Sequence, residues 1–426
     1  MNRHWWRLKR MAERLWVRAA LFCAAAIISA LIAIWIGPYI PEQLTELVGP
    51  ETVTAILTIL ASSMLTVTTF SLSTLVSATS AAANTATSAA ANTATPRATR
   101  LLLQDTTAQN ALSTFLGAFL FSLVGLIALN TGLYGGGGRL VLFAATLILV
   151  ALIVITLLRW IDHLGDLGRV SETISRVERV AKEAMEVHCN NPYMGGFERT
   201  KKPDRPAVID HHQIGYIQNI DVPKLQKIAE EIDADFYLER RPGAYCTPNL
   251  PILYVTLRND EAGLSHELVD DIRSAFVIGD RRSFEQDPCF GLIALSEIGS
   301  RALSPGINDP GTAIDVIETL VRVMAVRVQG CEPKEPQHDR LHVPALPEFS
   351  LFDAAFMPLS RDGAAMVEVG VRLQKALRSL ELMSEDGCKA TAKEFLAEAR
   401  QRSLDSLPYE TDKARLKTCL DKQFTM

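Results

Sequence analysis

The sequence predicts an α-helical membrane bundle of four transmembrane helices, followed by a cytoplasmic α+β domain with a small β module and several helices. Four apolar stretches lie within residues 18–160, each near the roughly 20 residues that a helix needs to cross a bilayer. After residue 160, charged and apolar residues mix as they do in soluble domains. Buried core helices of a soluble protein are the alternative, and four stretches of this length argue against it.

The chain starts with a basic segment and the first predicted span. Residues 1–17 carry tryptophans among arginines and lysines, which predicts an amphipathic helix in the cytoplasmic headgroup layer. The span at 18–40 follows and is closed by Gly37-Pro38. We expect it to stay in the mature protein, because its apolar core is too long for a signal peptide and no small-residue cleavage site stands out.

The second predicted span, residues 52–78, is rich in hydroxyl groups. No charged side chain lies between Glu51 and Arg97, yet Ser and Thr recur throughout. Small hydroxylated residues let helix backbones approach closely and form hydrogen bonds across the contact. We therefore predict the innermost helix of the bundle, facing other helices, copies of itself or water in a pore. The pore or helix-packing candidates are Thr58, Ser62, Thr66, Thr69 and Ser73.

The third and fourth predicted spans are residues 111–133 and 140–158, and basic residues set the orientation. Residues 41–51 contain no Lys or Arg, whereas Arg97 and Arg100 lie in the second connection and Arg159 follows the fourth span. Since positive charge accumulates on the cytoplasmic side, both termini are expected in the cytoplasm.

A tandem repeat lies in the second connection, where TSAAANTA at 79–86 recurs unchanged at 87–94. Its alanines favour continuing the helix, and Pro96 is expected to end it. The repeat could form the cytoplasmic mouth of a pore, or be a duplication tolerated in an exposed extension.

Residues 161–189 predict a helical, coiled-coil-like stalk, because apolar residues recur three and four positions apart with charges of both signs between them. Such a seam implies either oligomerisation or docking on the chain's own domain.

Residues 207–260 predict the small β module, with a strand pair before a short helix and two strands after it. Residues 261–426 predict a helical cytoplasmic domain.

Turn residues and arginines concentrate around Ser304-Pro305-Gly306, where Asn308 or Asp309 can cap a helix that starts with Pro310. An uncovered helix N-terminus beside arginines suits a phosphate or carboxylate. The alternative is a helix corner whose arginines pair with nearby acidic residues. The candidate anion-binding residues are Arg281, Arg282, Arg301 and Asn308.

Several functional classes have no support in the sequence. The net charge of -5 argues against a nucleic-acid partner. No nucleotide, hydrolase or metalloprotease motif occurs, so we expect no enzymatic activity, no cofactor and no metal site. The seven cysteines form no CxxC pair, and we expect free thiols. The spans carry no Asp, Glu, His, Lys or Arg in their interiors, so a proton pump has no obvious relay.

Seven segments carry a family resemblance: SLSTLVSA, TPRATRLLLQD, QNALSTFLGAFLFSLVGLIAL, GYIQNID, RPG, QDPCFGL and RALSPGINDP. Through them the chain resembles a family of bacterial predicted membrane proteins, domain of unknown function 2254. The tandem repeat looks like an addition to the family pattern. Ala244 stands where the family usually has Asp after RPG. The resemblance implies an inner-membrane location and supplies no reaction or catalytic residues.

We therefore expect a homo-oligomeric inner-membrane protein that is channel-like or passive transport-like, with a cytoplasmic regulatory domain. Its expected partners are the lipid bilayer and further copies of the chain. The alternative is a membrane-anchored sensor or scaffold whose cytoplasmic domain binds a small anionic ligand or a protein partner.

Overall fold

The computed structural model describes most of the chain in two compact units. The described residues are 49–83, 95, 97–98, 106–131, 136–166, 169–204, 206–258, 264–384, 386–420 and eight single positions within 17–35. One unit, the membrane unit, holds the apolar helices, and the other, the C-terminal unit, holds the described residues from Val170 onward together with Thr95, Arg97 and Ala98. Apart from single positions, the basic segment 1–17 and the first predicted span lie outside the described residues, as do residues 84–94 of the repeat.

The membrane unit contains helices α1 (Pro50–Ala83), α2 (Thr106–Asn130) and α3 (Gly136–Asp166). Within the described residues, three stretches are long and apolar enough to cross a membrane: Glu51–Ser77, Thr107–Asn130 and Gly136–Leu164. They correspond to the second, third and fourth predicted spans. The second, third and fourth predicted spans are thus confirmed as helices that could cross a membrane.

One face of α1 packs inside this unit. Leu60 and Met64 share an apolar cluster with α2 and α3, and Leu57 is fully buried. A methyl group on Gly125 of α2 would lie 3.1 Å from the Leu57 side chain, so glycine lets the two helices come close. The sequence supplies this packing through apolar residues three and four positions apart.

The predicted stalk is two helices and not one. Helix α3 ends at Asp166, Arg169 is not helical, and α4 spans Val170–Asn190. The apolar face of α4 is buried in the C-terminal unit against α7 (Pro288–Ala302) and α8 (Pro310–Val328). A methyl group on Gly291 of α7 would overlap Ala181, so the two backbones are very close. This part of the seam therefore docks on the chain's own domain and is not free to form a coiled coil.

The C-terminal unit contains two sheets among its described residues. A five-stranded sheet has the order β1-β8-β4-β6-β2, and a three-stranded sheet has the order β5-β3-β7. The strands are β1 (Phe197–Glu198), β2 (Ala207–Asp210), β3 (Gly215–Ile220), β4 (Ala234–Leu238), β5 (Tyr245–Cys246), β6 (Pro251–Leu257), β7 (Phe276–Gly279) and β8 (Leu341–Val343).

The strands differ from the predicted β module in how they pair and where they lie. The predicted strand pair within 207–220 does not form, because β2 pairs with β6 while β3 pairs with β5 and β7. Strands β1, β7 and β8 lie outside 207–260, so both sheets include strands from beyond the predicted module. Strand β8 lies within residues 261–426, which were predicted to be helical, yet it pairs in parallel with both β4 and β1.

Helices form the rest of the unit, and α8 begins as predicted. The Asp309 carboxylate accepts a hydrogen bond from the Thr312 amide, and Pro310 starts the helix. The remaining helices are α5 (Val222–Glu231), α6 (His266–Arg273), α9 (Glu348–Asp362), α10 (Val367–Met383), α11 (Asp386–Ser406) and α12 (Glu410–Thr418).

Candidate functional site

The hydroxyl groups singled out on α1 share one face. They are spaced four, four, three and four residues apart, which places them in line at 3.6 residues per turn. All five side chains are exposed: Thr58, Ser62, Thr66, Thr69 and Ser73. We call this face the hydroxyl stripe. Because α2 and α3 pack on the opposite side, neither of these helices covers it.

Hydroxyl protons of the stripe are already used within the helix. The Ser62 hydroxyl donates to the Thr58 carbonyl at 3.0 Å, and Thr66 donates to the Ser62 carbonyl at 3.1 Å. Thr69 donates to the Thr66 carbonyl at 2.9 Å. Such bonds satisfy the donor and leave oxygen lone pairs pointing outward. The stripe can therefore accept hydrogen bonds from water, a solute or a facing helix.

Large apolar side chains border the stripe on both sides. Ile59 and Phe70 lie along one edge and are each 66% exposed, while Leu65 and Leu72 lie along the other. The stripe is therefore a shallow polar groove of small residues between apolar margins. This shape suits close contact with another helix better than contact with lipid chains alone.

The predicted anion-binding residues do not form one site. Arg282 lies before α7 and holds the Asp287 carboxylate with two hydrogen bonds, of 2.6 and 2.8 Å. Arg301 lies in the last turn of α7, about 20 Å further along the helix by its rise per residue. Arg281 is exposed beside Arg282, and Asn308 follows Arg301, so the four residues separate into two pairs.

The helix N-terminus expected to bind the anion is already capped. Asp309 accepts from the amide and the hydroxyl of Thr312, and these bonds lower the pKa of its carboxyl group. A carboxylate of the chain thus occupies the place proposed for an external anion. The alternative prediction was a helix corner whose arginines pair with nearby acidic residues. Arg282 agrees with it, because Arg282 pairs with Asp287.

A cavity that the sequence did not indicate lies elsewhere in the C-terminal unit. Its volume is about 810 Å³, within the usual size of small-molecule sites. The ends of α4 and α8, residues 191–196 and residues 330–336 form its walls, together with Glu348 and Cys388. Its parts come from segments far apart in the sequence, which explains why no local motif marks it.

A half-buried arginine orients the histidine on the cavity wall. Arg241 donates to the carbonyls of Pro192 and Pro344, at 2.9 and 2.7 Å, and its guanidinium lies 3.3 Å from His188 Nδ1. Because arginine only donates, His188 accepts at Nδ1 and carries its proton on Nε2. Burial, Arg241 and Arg327 lower the pKa of His188 to about 3, so the imidazole is neutral. Burial also lowers the pKa of Arg241 to about 10.

Sulfur groups cluster at the same cavity. Cys189 and Cys331 are joined by a disulfide, so the expectation of free thiols is wrong for these two. Their pairing joins residues 142 positions apart, which spacing alone does not reveal. Cys388 donates to Glu348 Oε2 at 3.0 Å, and Glu348 also pairs with Arg327. Burial and the Glu348 carboxylate raise the pKa of Cys388 to about 12.

The connection that follows α1 contributes to the C-terminal unit. Thr95 and Ala98 are buried, and Arg97 forms an ion pair with Glu297 of α7. These residues belong to the TPRATR segment. Thr95, Arg97 and Ala98 therefore belong to the same unit as α4 and α8.

Comparisons with known proteins place these features in context. A family profile described as predicted membrane protein (DUF2254) matches residues 12–379. Uncharacterized proteins of Mycobacterium tuberculosis and Mycobacterium bovis are each 25% identical over 252 residues, which are 57% of this chain and 48% of the relative. The matched part thus spans about half the length of these curated relatives. No solved structure matches the chain.

Proposed function

The chain belongs to the DUF2254 family of predicted membrane proteins, and from this premise we propose a homo-oligomeric, channel-like or passive transport-like protein of the bacterial inner membrane. The C-terminal unit lies in the cytoplasm and regulates or scaffolds the assembly. The observation that carries the proposal is the hydroxyl stripe of α1, which is exposed while the opposite face of the helix is packed.

A second copy of the chain is the occupant that best fits the stripe. Small residues allow two helices to approach closely, and in a membrane this packing is a main source of helix association. Several copies arranged around an axis would bring their stripes together and create a lining of hydroxyl oxygens. Without ionisable groups, such a lining supports passive movement of a solute and not proton-coupled pumping.

The TPRATR segment supports regulation from the C-terminal unit. Thr95 and Ala98 are buried in that unit, and α1 precedes this segment in the chain. In the sequence, the chain therefore runs from α1 to residues of the proposed regulatory unit. The basic residues of the second connection and the one after the fourth span favour the cytoplasmic side for this region.

The experiment compares two bulky substitutions in nanodisc-embedded protein. Ser62→Phe places an aromatic ring in the stripe, whereas Ile148→Phe places one on α3 at a position that is 72% exposed. We expect native mass spectrometry to show an oligomer for the wild type and for Ile148→Phe, and smaller species for Ser62→Phe. Solute flux in liposomes should fall only for Ser62→Phe. A monomeric wild type, or equal behaviour of the two variants, would refute the proposal.

A membrane-anchored sensor is the second candidate, and the cavity favours it. Arg327 and Lys334 on its wall offer donors to a carboxylate or phosphate. This function predicts that phosphate or a dicarboxylate raises the melting temperature of the full-length protein, and that Arg327→Met removes the effect. An absence of solute flux in liposomes, together with this rise in melting temperature, would favour the sensor over the channel.

A further inference from the structure

We infer that the Cys189–Cys331 disulfide is a reversible modification site, which a low-molecular-weight thiol reaches through the cavity and opens by thiol–disulfide exchange. The inference rests on the proposed cytoplasmic location of the C-terminal unit. In that compartment thiol systems keep most cysteines reduced, and disulfides there are usually transient or redox-sensing. A disulfide beside a ligand-sized cavity fits such a role.

The disulfide joins the two segments that form the cavity wall. Cys189 lies at the end of α4 and Cys331 lies just beyond the end of α8, with their Cα atoms 5.1 Å apart. Both residues line the cavity. A thiol the size of glutathione can therefore approach the sulfur atoms from inside the cavity. Cys246, Cys289 and Cys419, which form no disulfide, are not part of this wall.

Unequal exposure indicates which sulfur is attacked. Cys331 is half-buried, whereas Cys189 is only 7% exposed. The incoming thiolate attacks the Cys331 sulfur, forms a mixed disulfide there and releases Cys189 as a thiolate that takes up a proton. A second small thiol then attacks the mixed disulfide and releases Cys331. Two electrons pass to the protein, and the two small thiols leave as their own disulfide.

The surroundings favour an external reductant over an internal one. Arg327 Nη1 lies 3.8 Å from Cys331 Sγ, where its positive charge stabilises the Cys331 thiolate that the second small thiol releases. Cys388 is held protonated by its hydrogen bond to Glu348, so it does not attack the disulfide itself. The described wall residues therefore stabilise the Cys331 thiolate of the second exchange and include no other cysteine that attacks the disulfide.

Reduction should loosen the cavity wall without unfolding it. Backbone hydrogen bonds from Lys334 to Asn190, and from Gln337 and His338 to Gly195, lie between 2.8 and 2.9 Å. They hold the two wall segments together independently of the disulfide. Opening the disulfide then frees mainly residues 330–333, at the rim of the cavity.

The test uses full-length protein in detergent, equilibrated with oxidised or with reduced glutathione. Alkylation followed by peptide mass spectrometry measures each cysteine, and hydrogen exchange measures residues 330–333. We expect Cys189 and Cys331 to become labelled together in reduced glutathione, with faster exchange at 330–333. Cys331→Ser should abolish this response, while Cys388→Ser, the matched control at the same cavity, should retain it.

Two results would overturn the inference. One is complete labelling of Cys189 and Cys331 in folded protein after treatment with oxidised glutathione. The other is a disulfide that resists reduced glutathione until the protein is denatured, as a permanent structural bond would. Neither result depends on flux or oligomeric state, so failure here is distinct from failure of the channel proposal. Labelling in intact cells tests separately whether the unit faces the cytoplasm.

Discussion

Gly243 packs directly against the carboxylate of Asp287, and a methyl group on this glycine would overlap the carboxylate oxygen. Gly243 has a φ of +91°, a conformation that other residues rarely adopt. Asp287 is in turn held by Arg282 in a bidentate ion pair. The RPG and QDP segments, which the sequence shows as separate motifs, thus form one packed unit.

Gly243→Ala should destabilise the protein by at least about 2 kcal/mol, since it combines backbone strain with steric overlap. Gly330→Ala is the matched control, because Gly330 has a φ of +99° but no atom within 4 Å of the added methyl group. Gly330→Ala should lower the free energy of unfolding only through backbone strain, by about 1 kcal/mol. Thermal unfolding in detergent measures both. Equal losses would show that the contact with Asp287 contributes nothing.

Ala181→Leu should destabilise the C-terminal unit by about 1–3 kcal/mol, because Ala181 touches the backbone region of Gly291 and leaves no room for a larger side chain. Val187→Leu, at a position of α4 that is 52% exposed, should change little. Urea unfolding with oligomer size recorded in parallel checks this. A change in oligomer size at constant stability would instead indicate a seam between chains.

Acidification should weaken the contact between α4 and α8. Arg322 forms two hydrogen bonds of 2.8 Å to Glu178, and these, with Lys182, lower the pKa of Glu178 from 4.5 to about 2. Because the pKa is lower in the folded state, the stabilisation is present above pH 4.5 and is lost as the pH falls towards 2. We expect a loss of about 1 kcal/mol, since Arg322 is half exposed.

Glu178→Gln should remove this part of the pH dependence. Glu186→Gln changes an exposed carboxylate on the same helix and serves as the control. The measurement is the free energy of unfolding at pH 6 and at pH 3. If both variants keep the wild-type slope, the ion pair does not link α4 to α8 as the structure indicates.

Local chemistry made parts of the fold predictable. Asp309 and Pro310 mark the start of α8 because capping depends on neighbouring residues only. The three described apolar helices follow from length and composition. Strand β8 could not be found in this way, since its three residues become a strand only by pairing with β4 and β1. The Cys189–Cys331 disulfide could not be predicted either, because it also depends on a contact between residues far apart in the sequence.

The candidate site was predictable to a smaller extent. Spacing placed the hydroxyl groups of α1 on one face, and the structure leaves that face exposed. An amphipathic pattern shows that one face of a helix is buried, but not which surface buries it. The sequence therefore could not show that α4 packs on the domain of its own chain. Arg282 and Arg301 are near each other in the sequence, but the length of helix α7 separates them in the structure. The cavity depends on long-range contacts and carries no local signal.

A structure of the nanodisc-embedded particle that resolves what covers Thr66 and Thr69 tests the proposed assembly most directly. We predict a closed ring of identical chains with the α1 helices at its axis and these two side chains facing the axis or a neighbouring α1. A single chain, or a ring in which lipid chains pack against Thr66 and Thr69, would contradict it.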